Sequence, residues 1–241
     1  MSGHSKWSTI KREKGVKDAK RGAVFTRLGN QIAIAARSGI DPTMNSTLAM
    51  AIEKAKQSNM PAVNIQRAID RVSDKNAVVP EEIMYEAMGP GGIGIIIEVT
   101  TDNKNRTLPE VRNALTKNGG HTADAGSVAF KFTRKGVITV SETGEDTLMT
   151  ILEAGAEDAV EEEGETIIYT EQKDLAKVRT GIINAGLTVI GAELQYVPNM
   201  LVEVNDSEVA GKVIKLLHAL DDLDDVTNIH SNADITVDLP E

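Results

Sequence analysis

The first 28 residues, MSGHSKWSTIKREKGVKDAKRGAVFTRL, hold eight cations, one histidine and the single tryptophan of the chain. Lys and Arg neutralise phosphates and release counterions, and an aromatic ring beside them stacks on a base or packs against a ribose. This basic arm is therefore predicted to contact nucleic acid. The predicted contacts are His4, Lys6, Trp7, Lys11, Arg12, Lys14, Lys17, Lys20, Arg21 and Arg27. Trp7 has a second candidate role, as a hydrophobic anchor that holds the arm against the helices that follow, and the two roles are compatible.

A second basic cluster lies in TDNKNRT, residues 101–107, just before a predicted helix. The free N–H groups and the dipole of a helix N-terminus favour a phosphate. The predicted phosphate contacts are Asn103, Lys104, Asn105 and Arg106. The same residues have a second role open to them, since Asn and Asp also build turns. Thr107 and Glu110 form a T-x-x-E pattern, which predicts a capping box at the start of this helix, and Gly119 is placed to end it.

The charge of the chain is divided between its two parts. Residues 1–75 hold 14 Lys and Arg against 6 Asp and Glu, a net charge of +8, while the chain as a whole has a net charge of −10. The remaining residues therefore carry a net charge of −18. Such opposition is typical of a basic surface for nucleic acid on a body that repels it elsewhere, although a lysine-rich solvated helix surface produces a similar count.

Patterns for catalysis, metals and cofactors are not found in the sequence. The chain has no cysteine, which excludes thiolate chemistry and zinc fingers, and its four histidines show no metal-ligand spacing. GPGGIG, residues 89–94, fits G-x-G-x-x-G, but a strand follows it where a dinucleotide site needs a helix, so a hairpin turn is predicted. We expect no enzyme activity, no metal and no cofactor. Phe130 and Phe132 lie on one face of a predicted strand, an arrangement that allows base stacking, but packing of both rings in the core is favoured.

The elements predict an α+β protein of three domains. Helical spacing of apolar residues predicts a small bundle in a basic domain, residues 1–78, with its second helix starting at Asp41-Pro42. Residues 135–198 read β-α-β-β-α-β, the ferredoxin-like order. Residues 79–134 with 199–241 give the same order when strands 92–100 and 127–133 are joined to strands 201–204 and 226–230. The prediction is thus two ferredoxin-like α/β domains, with one inserted in the other.

Several motifs together resemble the YebC family along almost the whole chain. They are GHSKW (3–7), DAKRG (18–22), YEAMGPGG (85–92), TDNKNRT (101–107), EVRNAL (110–115), GSVAF (126–130) and LEAGAED (152–158). Glu13 departs from the family pattern and reduces the positive charge of the arm. The resemblance implies a helical N-terminal domain followed by two α/β domains, in agreement with the boundaries above.

The resemblance also implies a functional class. Members are usually described as probable transcriptional regulators that bind DNA. Relatives such as the mitochondrial translational activator of cytochrome c oxidase act on the ribosome and help translation through difficult sequences such as proline runs. The expected partner is therefore nucleic acid, either DNA or ribosomal or transfer RNA, with the ribosome as an alternative. No apolar run is long enough for a signal peptide or a membrane span, so a cytoplasmic protein without a membrane partner is expected.

Overall fold

The computed structural model of the protein describes residues 21–73, 78, 80–162 and 164–237. These residues fall into two compact units. One contains residues 132–197, and the other contains the remaining described residues. We describe each unit by itself.

The first unit opens with three helices, α1 (Arg21–Ala36), α2 (Ser46–Gln57) and α3 (Ala62–Asp70). Their buried residues recur at helical spacing and form one core, as the sequence predicts. The main members of this core are Leu28, Ile32, Ala35, Leu48, Ala55, Ile65, Ala68 and Ile69. The helical bundle predicted from the apolar spacing is thus observed for the described part of this segment.

The predicted start of α2 at Asp41-Pro42 is wrong by four residues. Asp41 instead accepts hydrogen bonds from the backbone N–H and the hydroxyl of Thr43, at 2.9 and 2.8 Å, and so stabilises a turn. The helix begins at Ser46 because buried Asn45 is its N-cap and accepts from the Leu48 N–H. The Asn45 side chain also donates to the carbonyls of Ala35 and Gly39, which joins the end of α1 to the start of α2.

The same unit continues with β1 (Glu81–Met88), β2 (Gly94–Thr101), α4 (Lys104–Lys117) and the short β3 (His121–Thr122). After the other unit come β8 (Val202–Val204), α7 (Ser207–Asp221), β9 (Val226–Ser231) and β10 (Ala233–Ile235). Four strands form a sheet in the order β3-β1-β2-β9, and β8 pairs in parallel with β10. Apolar residues of β2, β9, α4 and α7 form the core between the sheet and the two helices.

The predicted glycine hairpin is confirmed. β1 and β2 pair antiparallel, from Glu81 opposite Thr101 to Met88 opposite Gly94. The turn between them needs left-handed backbone at Gly91 (φ 73°) and Gly92 (φ 78°). A strand follows the glycines, so this segment lacks the helix that a dinucleotide site requires.

The ferredoxin-like sheet predicted for residues 79–134 with 199–241 is wrong in its strand pairing. β1 lies next to β2, and residues 127–131 add no strand to this sheet. A 3-10 turn, Ala129–Lys131, forms there instead because Glu86 binds the backbone N–H groups of Val128 and Ala129. Those N–H groups are then no longer available to pair with a neighbouring strand.

The second unit contains β4 (Phe132–Val140), α5 (Glu145–Glu153), β5 (Asp158–Glu162), β6 (Glu165–Glu171), α6 (Leu175–Asn184) and β7 (Val189–Pro198, whose last residue lies outside the unit). This is the β-α-β-β-α-β order predicted for the segment. Its sheet has the order β5-β6-β4-β7, with β6 antiparallel to both β4 and β5. In neither unit is any described helix long and apolar enough to cross a bilayer.

Candidate nucleic-acid interface

Most of the predicted contacts of the basic arm lie outside the described residues. These are His4, Lys6, Trp7, Lys11, Arg12, Lys14, Lys17 and Lys20. α1 begins at Arg21, whose side chain is also outside the description. The nucleic-acid contacts of the arm therefore stay predictions. Only Arg27, among the ten, has a described side chain.

Arg27 binds protein groups. Its guanidinium donates to the backbone carbonyls of Asp221, Leu223 and Asp224, at the C-terminus of α7 and just beyond it. The Leu223 carbonyl oxygen is 2.8 Å from Nη2. Carbonyls at a helix C-terminus lack intrahelical partners and carry partial negative charge, so a fixed guanidinium satisfies them well. Arg27 thereby joins the helical segment to the α/β part of the same unit.

Three further cations of the helical segment are exposed, namely Arg37, Lys56 and Arg67. They lie off the buried apolar stripe of the bundle, and that position is a signal the sequence already contains. None of the three belongs to a motif, so motif patterns alone do not distinguish them from other surface cations. Arg37 also contributes to lowering the pKa of Glu81 through its charge, although the main cause there is a hydrogen bond from Lys104.

The TDNKNRT loop starts α4 earlier than predicted. Asn103 is the N-cap, and its side-chain oxygen accepts from the N–H groups of Asn105 and Arg106, at 3.1 and 3.2 Å. The capping box predicted at Thr107 and Glu110 is therefore wrong, since Thr107 lies inside the helix. At the other end, Gly119 has φ 80° and the Gly120 N–H donates to the Leu115 carbonyl, so the predicted glycine C-cap is confirmed.

The two cations of this loop are each paired with a carboxylate. Lys104 forms an exposed ion pair with Glu81 on β1. The hydrogen bond between them and then their charges raise the pKa of Lys104 and lower the pKa of Glu81. Asn103 already occupies two of the first N–H groups of the helix. The predicted phosphate contact at this loop stays a prediction, and a phosphate there would compete with Glu81 for Lys104.

Arg106 binds the buried carboxylate of Asp225, just before β9. Its Nη2 lies 3.0 and 2.8 Å from the two carboxylate oxygens. The hydroxyls of Thr101 and Thr107 donate to the same carboxylate, at 3.0 and 2.6 Å. Burial raises the pKa of Asp225, but the bonds from Thr107, Arg106 and Thr101 outweigh it, so the pKa is lower than the ordinary 3.8. This network holds the TDNKNRT loop to a segment more than a hundred residues away.

Glu86 organises a second loop in the same way. It is 6% exposed, and its carboxylate accepts from the N–H groups of Gly126, Val128 and Ala129 at 2.6, 2.6 and 2.7 Å. Burial raises the pKa of Glu86, and the three N–H donors outweigh burial, so the pKa is lower than the ordinary 4.5. The GSVAF segment is thus a turn fixed by one carboxylate.

The two phenylalanines after this turn differ in burial. Phe132 is 7% exposed, which confirms core packing for that ring. Phe130 is 66% exposed, so the prediction of core packing is wrong for Phe130. The strand predicted at 127–133 begins only at Phe132, and the alternation on which the prediction depended does not extend back to Phe130.

Within the described ranges, no group of three or more His, Asp or Glu side chains is arranged to hold a metal ion. The predicted contacts Arg27, Asn103, Lys104 and Arg106 bind other groups of the protein. Arg27, Lys104 and Arg106 make ion pairs or carbonyl contacts, and Asn103 caps a helix. Their observed chemistry is structural, whereas Arg37, Lys56 and Arg67 of the helical segment are exposed.

Two family models together match most of the chain. The model described as the TACO1/YebC protein N-terminal domain matches residues 5–75, and the one described as the TACO1/YebC second and third domain matches residues 80–233. The chain belongs to the TACO1/YebC family. The resemblance inferred from the sequence motifs is thus confirmed.

Curated TACO1/YebC relatives match over their full length. A probable transcriptional regulatory protein of Desulfotalea psychrophila is 47% identical over 246 residues, which cover 100% of this chain and 98% of the relative. One of Frankia casuarinae is 46% identical over 249 residues, with the same coverage. The crystal structure of a conserved hypothetical protein from Aquifex aeolicus matches with a TM-score of 0.86 and 40% identity. The match covers 93% of this chain and 94% of the Aquifex chain.

Proposed function

We propose that this chain is a nucleic-acid-binding regulator of gene expression that acts without catalysis, with DNA as its first candidate ligand. Its relatives are named probable transcriptional regulatory proteins, and these names support this class. RNA of the ribosome, or transfer RNA, is the alternative ligand, and it would make the chain a translation factor that relieves stalling.

The observation that carries the proposal is the division of charge. The net charge of +8 in residues 1–75 opposes −18 in the rest of a chain whose total is −10. Phosphate is attracted to the basic part and on average repelled from the acidic part, which favours the basic part as the main contact region. The three exposed cations Arg37, Lys56 and Arg67 extend this basic region onto the folded helices.

In the proposed organisation, residues 1–78 form the basic domain that contacts nucleic acid. Residues 79–134 with 199–241 form a discontinuous α/β domain, and residues 135–198 form an α/β domain inserted in it. The acidic α/β domains set the orientation of the basic domain or engage protein. The proposed location is the cytoplasm.

One fractionation experiment separates the two ligands. Lysate containing the tagged full chain is run on a sucrose gradient, beside a variant that lacks residues 1–22 and a variant in which exposed Lys173, Lys177 and Lys215 become alanine. If the full chain and the lysine variant sediment with ribosomes and the truncated variant does not, the result supports RNA as the ligand. Absence from the ribosome fractions, with crosslinking to promoter DNA, supports DNA. Absence from ribosomes together with no crosslinking to DNA or RNA contradicts the proposed function.

A further inference from the structure

Phe130 presents an aromatic ring to solvent in a chain where aromatic residues are only 3% of the composition. It is 66% exposed, although the neighbouring Phe132 is 7% exposed. An exposed ring on a fixed backbone offers a flat apolar face at little cost in conformational entropy, because phenylalanine has only two side-chain torsions. Such a face is the feature on which unpaired bases stack in proteins that bind single strands.

The backbone that carries Phe130 is fixed on both sides. Before it, the Glu86 carboxylate binds the N–H groups of Gly126, Val128 and Ala129. After it, the Lys131 N–H donates to the Val128 carbonyl at 2.9 Å, and the Lys131 carbonyl accepts from the Asn199 N–H at 2.8 Å. The ring is therefore presented by a turn whose conformation does not depend on the ring itself.

A cation accompanies the ring. Lys131 Nζ lies 5.9 Å from the centre of the Phe130 ring, within the range of a cation–π contact. A base stacked on this ring would bring its own phosphate into the field of the same ammonium group. Met200 and Leu201, which follow Asn199 in the chain, are also exposed, at 61% and 42%.

We propose that Phe130 and Lys131 form a stacking site for an unpaired base of a single-stranded nucleic acid, with Phe130 contacting the base and Lys131 the adjacent phosphate. This inference rests on the proposed function. It adds a contact in the α/β part of the chain, outside the basic arm, and it specifies an unpaired base as the ligand. Stacking on a ring tolerates every base, so the site confers preference for single strands and none for sequence.

The test measures the affinity of the full chain for a short single-stranded DNA by fluorescence anisotropy. Phe130→Ala should weaken binding about tenfold at every salt concentration, because stacking contributes about 1–3 kcal/mol per base and about 1.4 kcal/mol is tenfold. Phe130→Leu, which keeps an apolar side chain without a ring, should weaken binding similarly. Phe130→Trp, which keeps a ring, should retain the wild-type affinity. Met149→Ala is the control, since Met149 is 62% exposed and lies on α5 of the other unit.

Further measurements assign the effect to stacking. An oligonucleotide made abasic throughout should bind the wild-type chain and Phe130→Ala equally, since no base remains to stack. Lys131→Ala should reduce the slope of log affinity against log salt by about 0.7, the value for one phosphate on a single strand. Phe130→Ala should leave that slope unchanged.

The outcomes distinguish this inference from the proposed function. If wild type binds single strands but Phe130→Ala binds equally well, the stacking site is overturned and the nucleic-acid function stands. Full binding by Phe130→Leu with loss in Phe130→Ala also overturns stacking, because it shows an apolar contact of the kind a protein partner makes. If wild type binds no single strand but binds duplex DNA, the stacking site is overturned and the nucleic-acid function stands. If wild type binds no single-stranded DNA, no duplex DNA and no RNA, both proposals are overturned.

Discussion

Arg27 lies in the same basic run as the predicted nucleic-acid contacts, yet its guanidinium binds the carbonyls of Asp221, Leu223 and Asp224. Arg27→Ala should lower the free energy of unfolding by about 2 kcal/mol, the usual contribution of hydrogen bonds from a charged group. Arg27→Lys should restore only part of it, because an ammonium lacks the planar fork. Urea unfolding measures both. Unchanged stability together with weaker nucleic-acid binding would show that Arg27 contacts phosphate after all.

Glu86 makes a pH-dependent contribution to stability. Its pKa is lower in the folded chain than its ordinary 4.5, so the ionised carboxylate favours folding above that pH, and the contribution is lost as the pH falls through the folded-state pKa. Glu86→Gln replaces one acceptor oxygen by an NH₂ group facing N–H donors. We expect it to lower the free energy of unfolding by about 1–3 kcal/mol at neutral pH.

The difference between wild type and Glu86→Gln should shrink as the pH is lowered below 4.5, the ordinary pKa of this group. The matched control is Glu82→Gln, an exposed carboxylate on the same strand, and it should have no comparable effect. Urea unfolding at several pH values gives the comparison. A difference that does not depend on pH would contradict the role assigned to the Glu86 carboxylate.

At the scale of elements, local signals predicted what depends on nearby residues. The apolar spacing of the three helices, the glycine hairpin and the Gly119 C-cap all appear in the structure. The start of α4 was missed because the Thr107 hydroxyl binds Asp225, 118 residues away, and Asn103 is the cap instead. The strand predicted at 127–133 is wrong over residues 127–131 because Glu86, on β1, binds the backbone N–H groups of that segment. Sequence patterns of short range do not record such distant partners.

The N-cap of α4 can be tested directly. Asn103→Ala removes the acceptor for the N–H groups of Asn105 and Arg106 and should lower the free energy of unfolding by about 1 kcal/mol. Asn105→Ala, at an exposed position of the same first turn, is the control and should be neutral or slightly stabilising. Thermal or urea unfolding is the measurement. Equal effects of the two variants would contradict Asn103 as the cap.

At the scale of the whole molecule, the sequence could predict the charge division and the family but not the described contacts of Arg27, Lys104 and Arg106. Charge counts add up residues wherever they lie, whereas a carboxylate partner from another strand removes a cation from the set available to a ligand. Glu81 forms such an ion pair with Lys104, and Asp225 forms one with Arg106. The basic region therefore depends on residues 1–28 and on the exposed cations of the helices.

The measurement that tests the central claim is the salt dependence of binding to duplex DNA. If about five arm cations meet phosphates, log affinity should fall against log salt with a slope of about −4.5, or about −3.5 on single strands. Replacing Lys11, Lys14 and Arg21 by alanine should make the duplex slope shallower by about 2.7. The control replaces exposed Lys173, Lys177 and Lys215 by alanine, which changes the net charge equally, and it should keep the wild-type slope. A flat salt response, or equal slopes for the two triple variants, would contradict binding by the basic arm.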